Sequence, residues 1–265
     1  MAWLLRELRL FFIALQFFTR IPIPAWVGFE PVWLQQCARY FPLVGLCVGA
    51  VSAAVLWGAQ WLWPAPVAVG LAMAASMLLT GGFHEDGLAD TCDGLGGAVS
   101  REKALLIMKD SRLGSYGALG LIMVLGLKAA CLIGLAEAQP NEAAALLLWV
   151  HGASRVAPLW LMHALPYGGD AEHAKAKPLA TSISNAGFAV GLLWVLLAAG
   201  ALVAWRPALL PLLCGASVAA AAMCLWMQAW LDRRLGGYTG DNLGASQQLS
   251  ELAALLALLA LWHLL

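Results

Sequence analysis

Six of the chain's 15 acidic residues fall within 26 positions: Glu85, Asp86, Asp90, Asp93, Glu102 and Asp110. The densest stretch is GGFHEDGLADTCDGLGG, residues 81–97. If helical, it places Asp86, Asp90 and Asp93 at i, i+4 and i+7, on one face. Carboxylates about 6 Å apart, at an effective dielectric of about 20, repel by roughly 3 kcal/mol per adjacent pair. At a membrane boundary such a row requires a cation or protonation. Three hard oxygen donors suit Mg²⁺, with Mn²⁺ as the alternative, better than zinc. A solvated acidic loop is the plainer reading, because solvent and salt would screen the repulsion. The glycines Gly81, Gly82, Gly87, Gly94, Gly96 and Gly97 weigh against it, since they allow tight turns around something bulky. His84-Glu85 does not continue as H-E-x-x-H, which excludes a zinc-protease site. His84 is either a substrate contact or a structural histidine at the interface.

Three other polar groupings accompany the acids. Lys109-Asp110-Ser111-Arg112-Leu113-Gly114-Ser115-Tyr116-Gly117 sets two cations and two hydroxyls at a predicted helix start, a combination that suits phosphate. Lys109, Ser111 and Arg112 are therefore substrate-contact candidates; the bland alternative is anchoring of a helix end. Gly114, Gly117 and Gly120 are expected to serve close helix packing. GGYTGDNLGA (236–245) reads as a turn carrying Asp241, which adds a fourth metal-ligand candidate to Asp86, Asp90 and Asp93. Lys128 and Arg155 fall inside apolar runs, where each cation costs roughly 2.5–3.5 kcal/mol at the bilayer centre. They call for an anionic substrate group or, as the structural alternative, a pairing such as Arg155 with Glu251. Glu251 is itself a substrate-contact candidate, and His151 lies one turn before Arg155.

These groups must be positioned by membrane helices. The chain has 265 residues, 62% hydrophobic and 11% charged, against about 45–50% and about 25% for a soluble domain. That excludes a soluble globule, a disordered chain and a disulfide-stapled secreted domain. With 15 basic residues cancelling 15 acidic ones, no basic surface offers itself to nucleic acid. Seven stretches are predicted to cross a bilayer: Phe41–Trp63, Pro66–Gly82, Leu113–Ala136, Ala143–Leu165, Asn185–Trp205, Pro207–Leu231 and Leu249–Leu265. Twelve cations gather in the segments of one side, Lys175 and Lys177 of the 166–184 loop among them, and Arg206 stands alone on the other. The asymmetry predicts a cytoplasmic N-terminus and an outer C-terminus. Trp3, Leu4, Leu8, Phe11, Phe12 and Leu15 recur at helical spacing, so the first 20 residues read as an interfacial amphipathic helix. Arg6, Glu7, Arg9 and Gln16 interrupt the apolar run, which argues against a cleaved signal peptide. The whole reads as one all-α integral-membrane domain over 1–265, with an N-terminal interfacial segment 1–40 and a transmembrane bundle 41–265. The six scattered cysteines read as small hydrophobes.

Carboxylates fit for divalent metal, a basic rim and buried cations point to phosphoryl-type transfer on a lipid-like or large amphipathic substrate. Metals would clamp a diphosphate, and a carboxylate would take a hydroxyl proton. GGFHEDGLADTCDG (81–94), IMKDSRLGSYG (107–117) and GYTGDNLGA (237–245), with FTRIPIP (18–24) and FPLVG (41–45), resemble the cobalamin synthase (adenosylcobinamide-GDP ribazoletransferase) family over nearly the whole chain. The resemblance implies a Mg²⁺-dependent enzyme of the bacterial inner membrane, and the cation asymmetry predicts an active site on the cytoplasmic side. Its implied reaction joins adenosylcobinamide-GDP to α-ribazole or its 5′-phosphate, giving adenosylcobalamin or its phosphate, and GMP. It implies Asp86, Asp90, Asp93 and Asp241 as metal or catalytic carboxylates, with Asp90 and Asp93 the candidates for the base. Lys109, Arg112, Lys128 and Arg155 become phosphate contacts. The acidic motif is more distantly similar to that of CDP-alcohol phosphotransferases, but Asp90 stands where that signature has arginine. Rival readings are a CDP-alcohol or polyprenyl-phosphate transferase, and an ion or anion transporter. Partners are thus the two substrates and the lipid bilayer; the oligomeric state stays open.

Overall fold

Prolines and glycines punctuate the chain where they punctuate helices in general. In the computed structural model, which describes residues 2–97, 100–169 and 180–264, the helices are α1 (Ala2–Phe18), α2 (Pro31–Gln36), α3 (Phe41–Ala59), α4 (Ala65–Thr80), α5 (Phe83–Gly97), α6 (Arg101–Met108), α7 (Ser115–Ala138), α8 (Pro140–Ala153), α9 (Val156–Ala164), α10 (Asn185–Trp205), α11 (Leu210–Leu235) and α12 (Gly240–Leu264). Proline occupies the first turn of α2, α3, α4, α8 and α11, where its missing N–H has no helical partner to lose. Among the described residues the β-structure is a single bridge between Tyr167 and Tyr238.

Six runs are long and apolar enough to cross a membrane: Pro31–Ala59, Ser115–Ala138, Pro140–Ala164, Asn185–Trp205, Pro207–Leu235 and Gly240–Leu264. A seventh crossing arises only if α4 and α5 count as one broken span, bent by 88°. The chain is thus an all-α, multi-pass membrane protein, as expected. Four boundaries differ from expectation, each for a physical reason. The first span starts at Pro31 because α2 and a short 3₁₀ turn at Cys37–Tyr40 run into α3, so residue 40 marks no break. At the end of α4, Gly81 and Gly82 both have φ +73°, a left-handed conformation that favours glycine. The chain therefore turns by 88° between α4 and α5 instead of continuing. The predicted span 143–165 breaks at Ser154–Arg155 into α8 and α9, because Pro158 offers no N–H to the carbonyl of Ser154. Finally, the turn expected at 240–245 is helical: Thr239 and Asn242 cap each other, with Asn242 Oδ1 accepting from Thr239 N at 2.9 Å and Thr239 Oγ1 accepting from Asn242 N at 3.4 Å. That reciprocal cap starts α12 nine residues before the predicted Leu249. Lys175, Lys177 and most of the 166–184 loop lie outside the described residues.

The polar first half of α12 forms the centre of the bundle, packed on α5, α7, α9 and α11. Its side chains there are buried although polar: Asn242, Ser246, Gln247, Gln248 and Glu251 are each at most 2% exposed. α5 crosses α12 closely enough that a Cβ at Gly87 would stand 2.7 Å from the carbonyl oxygen of Asp241 and 3.3 Å from Gly244 Cα. Gly87→Ala therefore overpacks this crossing, at about 1–3 kcal/mol. It should lower the thermal midpoint followed by tryptophan fluorescence in detergent. Gly58→Ala, which meets nothing within 4 Å, should leave the midpoint unchanged. Equal midpoints would contradict the crossing.

Candidate active site

The Gly87–Gly244 approach brings the N-terminal half of α5 beside the first turn of α12, and a cavity of about 280 Å³ opens there. Asp86, Asp90 and His84 line it from α5, Asp241 from α12, Lys109 from the end of α6, and Arg155 from the break between α8 and α9. Each placement has a local cause. Asp86 and Asp90 are one helical turn apart. Asp241 sits in the first turn of α12, where the helix dipole favours a carboxylate. That turn is fixed to α5 by Asn242 Nδ2, which donates to Thr91 Oγ1 at 3.0 Å. Arg155 stands at the N-terminal boundary of α9 and is 2% exposed. Its Nη1 donates to the His151 carbonyl at 2.6 Å, and its Nε has no partner among the described residues. A buried guanidinium with an unsatisfied donor at a cavity wall is suited to an anion.

Five expected members of the site stand elsewhere, and Asp93 is the most informative. It lies on the same face of α5 as Asp86, two turns further on, where α7 begins. Its carboxylate accepts from Gly114 N at 2.7 Å and Gly117 N at 2.8 Å. The helix start expected to hold a phosphate thus already holds an anion of the protein itself. The close packing expected of Gly114, Gly117 and Gly120 is with this part of α5. Arg112 folds back on Asp110, with Nη2 to Oδ2 at 2.6 Å and its side chain 88% exposed. That carboxylate holds the already basic Arg112 pKa higher still. Ser111 is exposed beside it; neither Ser111 nor Arg112 lines the cavity.

Lys128 and Glu251, both expected at the substrate, find each other. Lys128 Nζ lies 2.7 Å from Glu251 Oε1, with the side chains 6% and 2% exposed. Gln247 Nε2 donates to Glu251 Oε2, and His151 Nδ1 lies 3.8 Å from the same oxygen. Lys128 also donates to Gln248 Oε1 at 2.9 Å, and Gln248 Nε2 reaches Glu85 Oε1 at 3.0 Å. This network lies directly behind the cavity, and His84 and Arg155 border both. The structural partner anticipated for Glu251 is therefore Lys128, not Arg155, because Lys128 on α7 faces α12 across the helix contact.

Sequence reasoning missed the glutamines of the network and the aromatic part of the cavity. A polar Gln247-Gln248-x-x-Glu251 run entering an apolar span was the available signal for the first. Phe17, Phe18, Phe41, Phe83, Tyr167 and Tyr238 line the cavity but stand in sequence among many other apolar residues. Tyr238 is fully buried, and burial, with Tyr167 beside it, holds its phenol above the ordinary range. The 236–239 segment is tied down by Tyr238 N to the Pro166 carbonyl at 3.1 Å and by Gly168 N to the Tyr238 carbonyl at 2.8 Å. Arg101 Nε and Nη2 donate to the Leu235 and Gly168 carbonyls, each at 2.8 Å.

Among the described residues no three His, Cys, Asp or Glu side chains stand close enough to enclose a metal ion by themselves. The donor set of Asp86, Asp90 and Asp241 still fits Mg²⁺, which binds through one or two carboxylates together with water and phosphate oxygens of a substrate.

The family model for cobalamin-5-phosphate synthase matches residues 10–259. The chain belongs to the cobalamin-5-phosphate synthase family. An adenosylcobinamide-GDP ribazoletransferase of Leptothrix cholodnii is 60% identical over 262 residues, 98% of each chain. Proteins of the same name from Shewanella frigidimarina and Shewanella oneidensis are 44% and 45% identical, covering 97% and 96% of this chain and 96% and 95% of their own. No solved structure matches. Within this synthase fold the network behind the cavity makes a direct stability prediction. Lys128→Met strands the Glu251 charge and should cost about 3–5 kcal/mol, while Lys128→Met with Glu251→Leu should recover most of that loss. Thermal unfolding of the four proteins in detergent measures the coupling. Additive losses would contradict the pair.

Proposed function

We propose that this chain joins adenosylcobinamide-GDP to α-ribazole or its 5′-phosphate, releasing adenosylcobalamin or its phosphate and GMP, in the bacterial inner membrane. Family membership makes it a transferase of cobalamin synthesis; the substrates are the proposal. One observation carries it: Asp86, Asp90, Asp241, Lys109 and Arg155 come from separate helices and helix junctions to one cavity. Three carboxylates and two cations around one space suit a diphosphate with its counter-ion better than they suit a neutral substrate.

One or two of the carboxylates Asp86, Asp90 and Asp241 would hold Mg²⁺ together with the diphosphate oxygens. Bound there, the ion supplies charge neutralisation on the diphosphate and on the departing GMP. Lys109 at the rim and Arg155 in the depth of the cavity hold phosphate oxygens from two sides and orient the reacting phosphorus. A hydroxyl of α-ribazole attacks the phosphorus on the cobinamide side, and GMP leaves. Of the two candidate bases, Asp90 lines the cavity and Asp93 does not, so Asp90 takes the hydroxyl proton. The cation asymmetry of the sequence supports a cytoplasmic side for the cavity. A transport pathway is disfavoured, because the space behind the cavity holds the Lys128–Glu251 pair and only about 10 Å³, room for one water.

Asp86→Asn and Asp90→Asn should each lower kcat by at least roughly 100-fold while the protein stays membrane-inserted with an unchanged thermal midpoint. Asp93→Ala should instead lower the midpoint, since it removes two charge-assisted hydrogen bonds of about 1.5–3 kcal/mol each. Coupled assay of GMP release with thermal unfolding separates the two classes. Wild-type turnover in Asp86→Asn or Asp90→Asn would overturn the proposed site.

A further inference from the structure

One wall of the cavity has a chemistry that phosphate transfer does not use. Phe17 and Phe18 at the end of α1, Phe41 at the start of α3, and Phe83 and His84 at the start of α5 all line it. The rings pack on one another. Phe17 and Phe83 lie 5.3 Å apart, Phe18 and Phe83 5.7 Å, and Phe18 and Phe41 4.6 Å, all near edge-to-face, while Phe18 stacks on His84 at 5.5 Å and 17°. Phe18, Phe41 and His84 are buried, whereas Phe83 keeps 41% of its surface open.

We infer that this wall is the subsite for the apolar bicyclic base of the acceptor nucleoside, an inference that rests on the transfer reaction proposed above. Three considerations select that occupant. The first is polarity. The four phenylalanines offer stacking faces and edges but no hydrogen-bonding group, and His84 is the only polar side chain among them. Guanine, with an amide and an amino edge, would leave donors unpaired there, whereas dimethylbenzimidazole has no donor of its own once joined to ribose. The second is size. A cavity of about 280 Å³ lies just below the range of small-molecule sites, about 300 to 1,000 Å³. A space of that size accommodates a bicyclic base. The third is register. Phe83 precedes Asp86 by three residues and Asp90 by seven, about 4.5 Å and about 10.5 Å along the axis of α5. A nucleoside whose base rests on the wall extends its sugar hydroxyls along α5 toward these carboxylates.

The test uses the full chain in detergent, with Phe17→Leu and Phe83→Leu, which keep apolar volume but remove the ring. Losing one ring should raise the KM for α-ribazole roughly fivefold and leave the KM for adenosylcobinamide-GDP within about twofold. A KM shift for the corrinoid substrate instead, or for neither, overturns the assignment. The wild-type protein gives an independent reading if either variant misfolds. It should prefer the dimethylbenzimidazole α-riboside over the adenine α-riboside by roughly tenfold or more in kcat/KM, and equal use overturns the subsite. Calorimetric titration of α-ribazole alone separates the two proposals. Binding that weakens in Phe83→Leu without any turnover supports the subsite and sinks the transfer reaction. Turnover with unchanged nucleoside affinity in both variants does the reverse.

Discussion

Glu251 is a carboxylate at the centre of an apolar bundle, 1% exposed, and a charge so placed must be neutralised and hydrogen-bonded where it stands. Lys128 supplies the charge from α7, Gln247 a donor from the preceding turn of α12, and His151 closes in from α8. Gln248 carries the connection on to Glu85 on α5, beside Asp86. One buried anion thereby fixes four helices at the level just behind the cavity. The cavity's carboxylates and cations inherit their places from that arrangement.

Polar satisfaction also explains why α12 is the central helix. Its first half carries Asn242, Ser246, Gln247, Gln248 and Glu251 on buried surface, so its neighbours must present partners. Thr91 does so from α5 and Ser154 from the end of α8, each at 2.9–3.0 Å. The α8–α9 break caused by Pro158 is part of the same arrangement, since it leaves Arg155 at a helix start, facing both the network and the cavity. Carboxylates divide their labour by position along α5. Asp86 and Asp90 face the cavity, whereas Asp93 meets the start of α7 and caps it.

Much of this was legible in the sequence. Helix α10 was predicted with the bounds it has, and the acidic row on one face of a helix follows from i, i+4, i+7 spacing alone. Other features were not. Spacing shows that Asp93 shares a face with Asp86, but not that α7 begins opposite it. Mid-span Lys128 signals a need for an anion, yet only the packing of α7 on α12 decides between Glu251 and a substrate phosphate. The phenylalanine wall was invisible because its members come from three distant segments, and nothing in a 62% hydrophobic chain distinguishes a ring that lines a cavity from one that faces lipid. Local chemistry reads from the chain; which of several chemically able residues meet depends on long-range packing.

The central claim is that the carboxylates and cations of one cavity carry a Mg²⁺-dependent transfer between two substrates. It is tested most directly by following both products from purified wild-type protein supplied with adenosylcobinamide-GDP, α-ribazole and Mg²⁺. GMP and adenosylcobalamin should appear in equal amounts, and chelation with EDTA should stop both. Release of GMP without a corrinoid product, or undiminished product formation after chelation, would contradict the account.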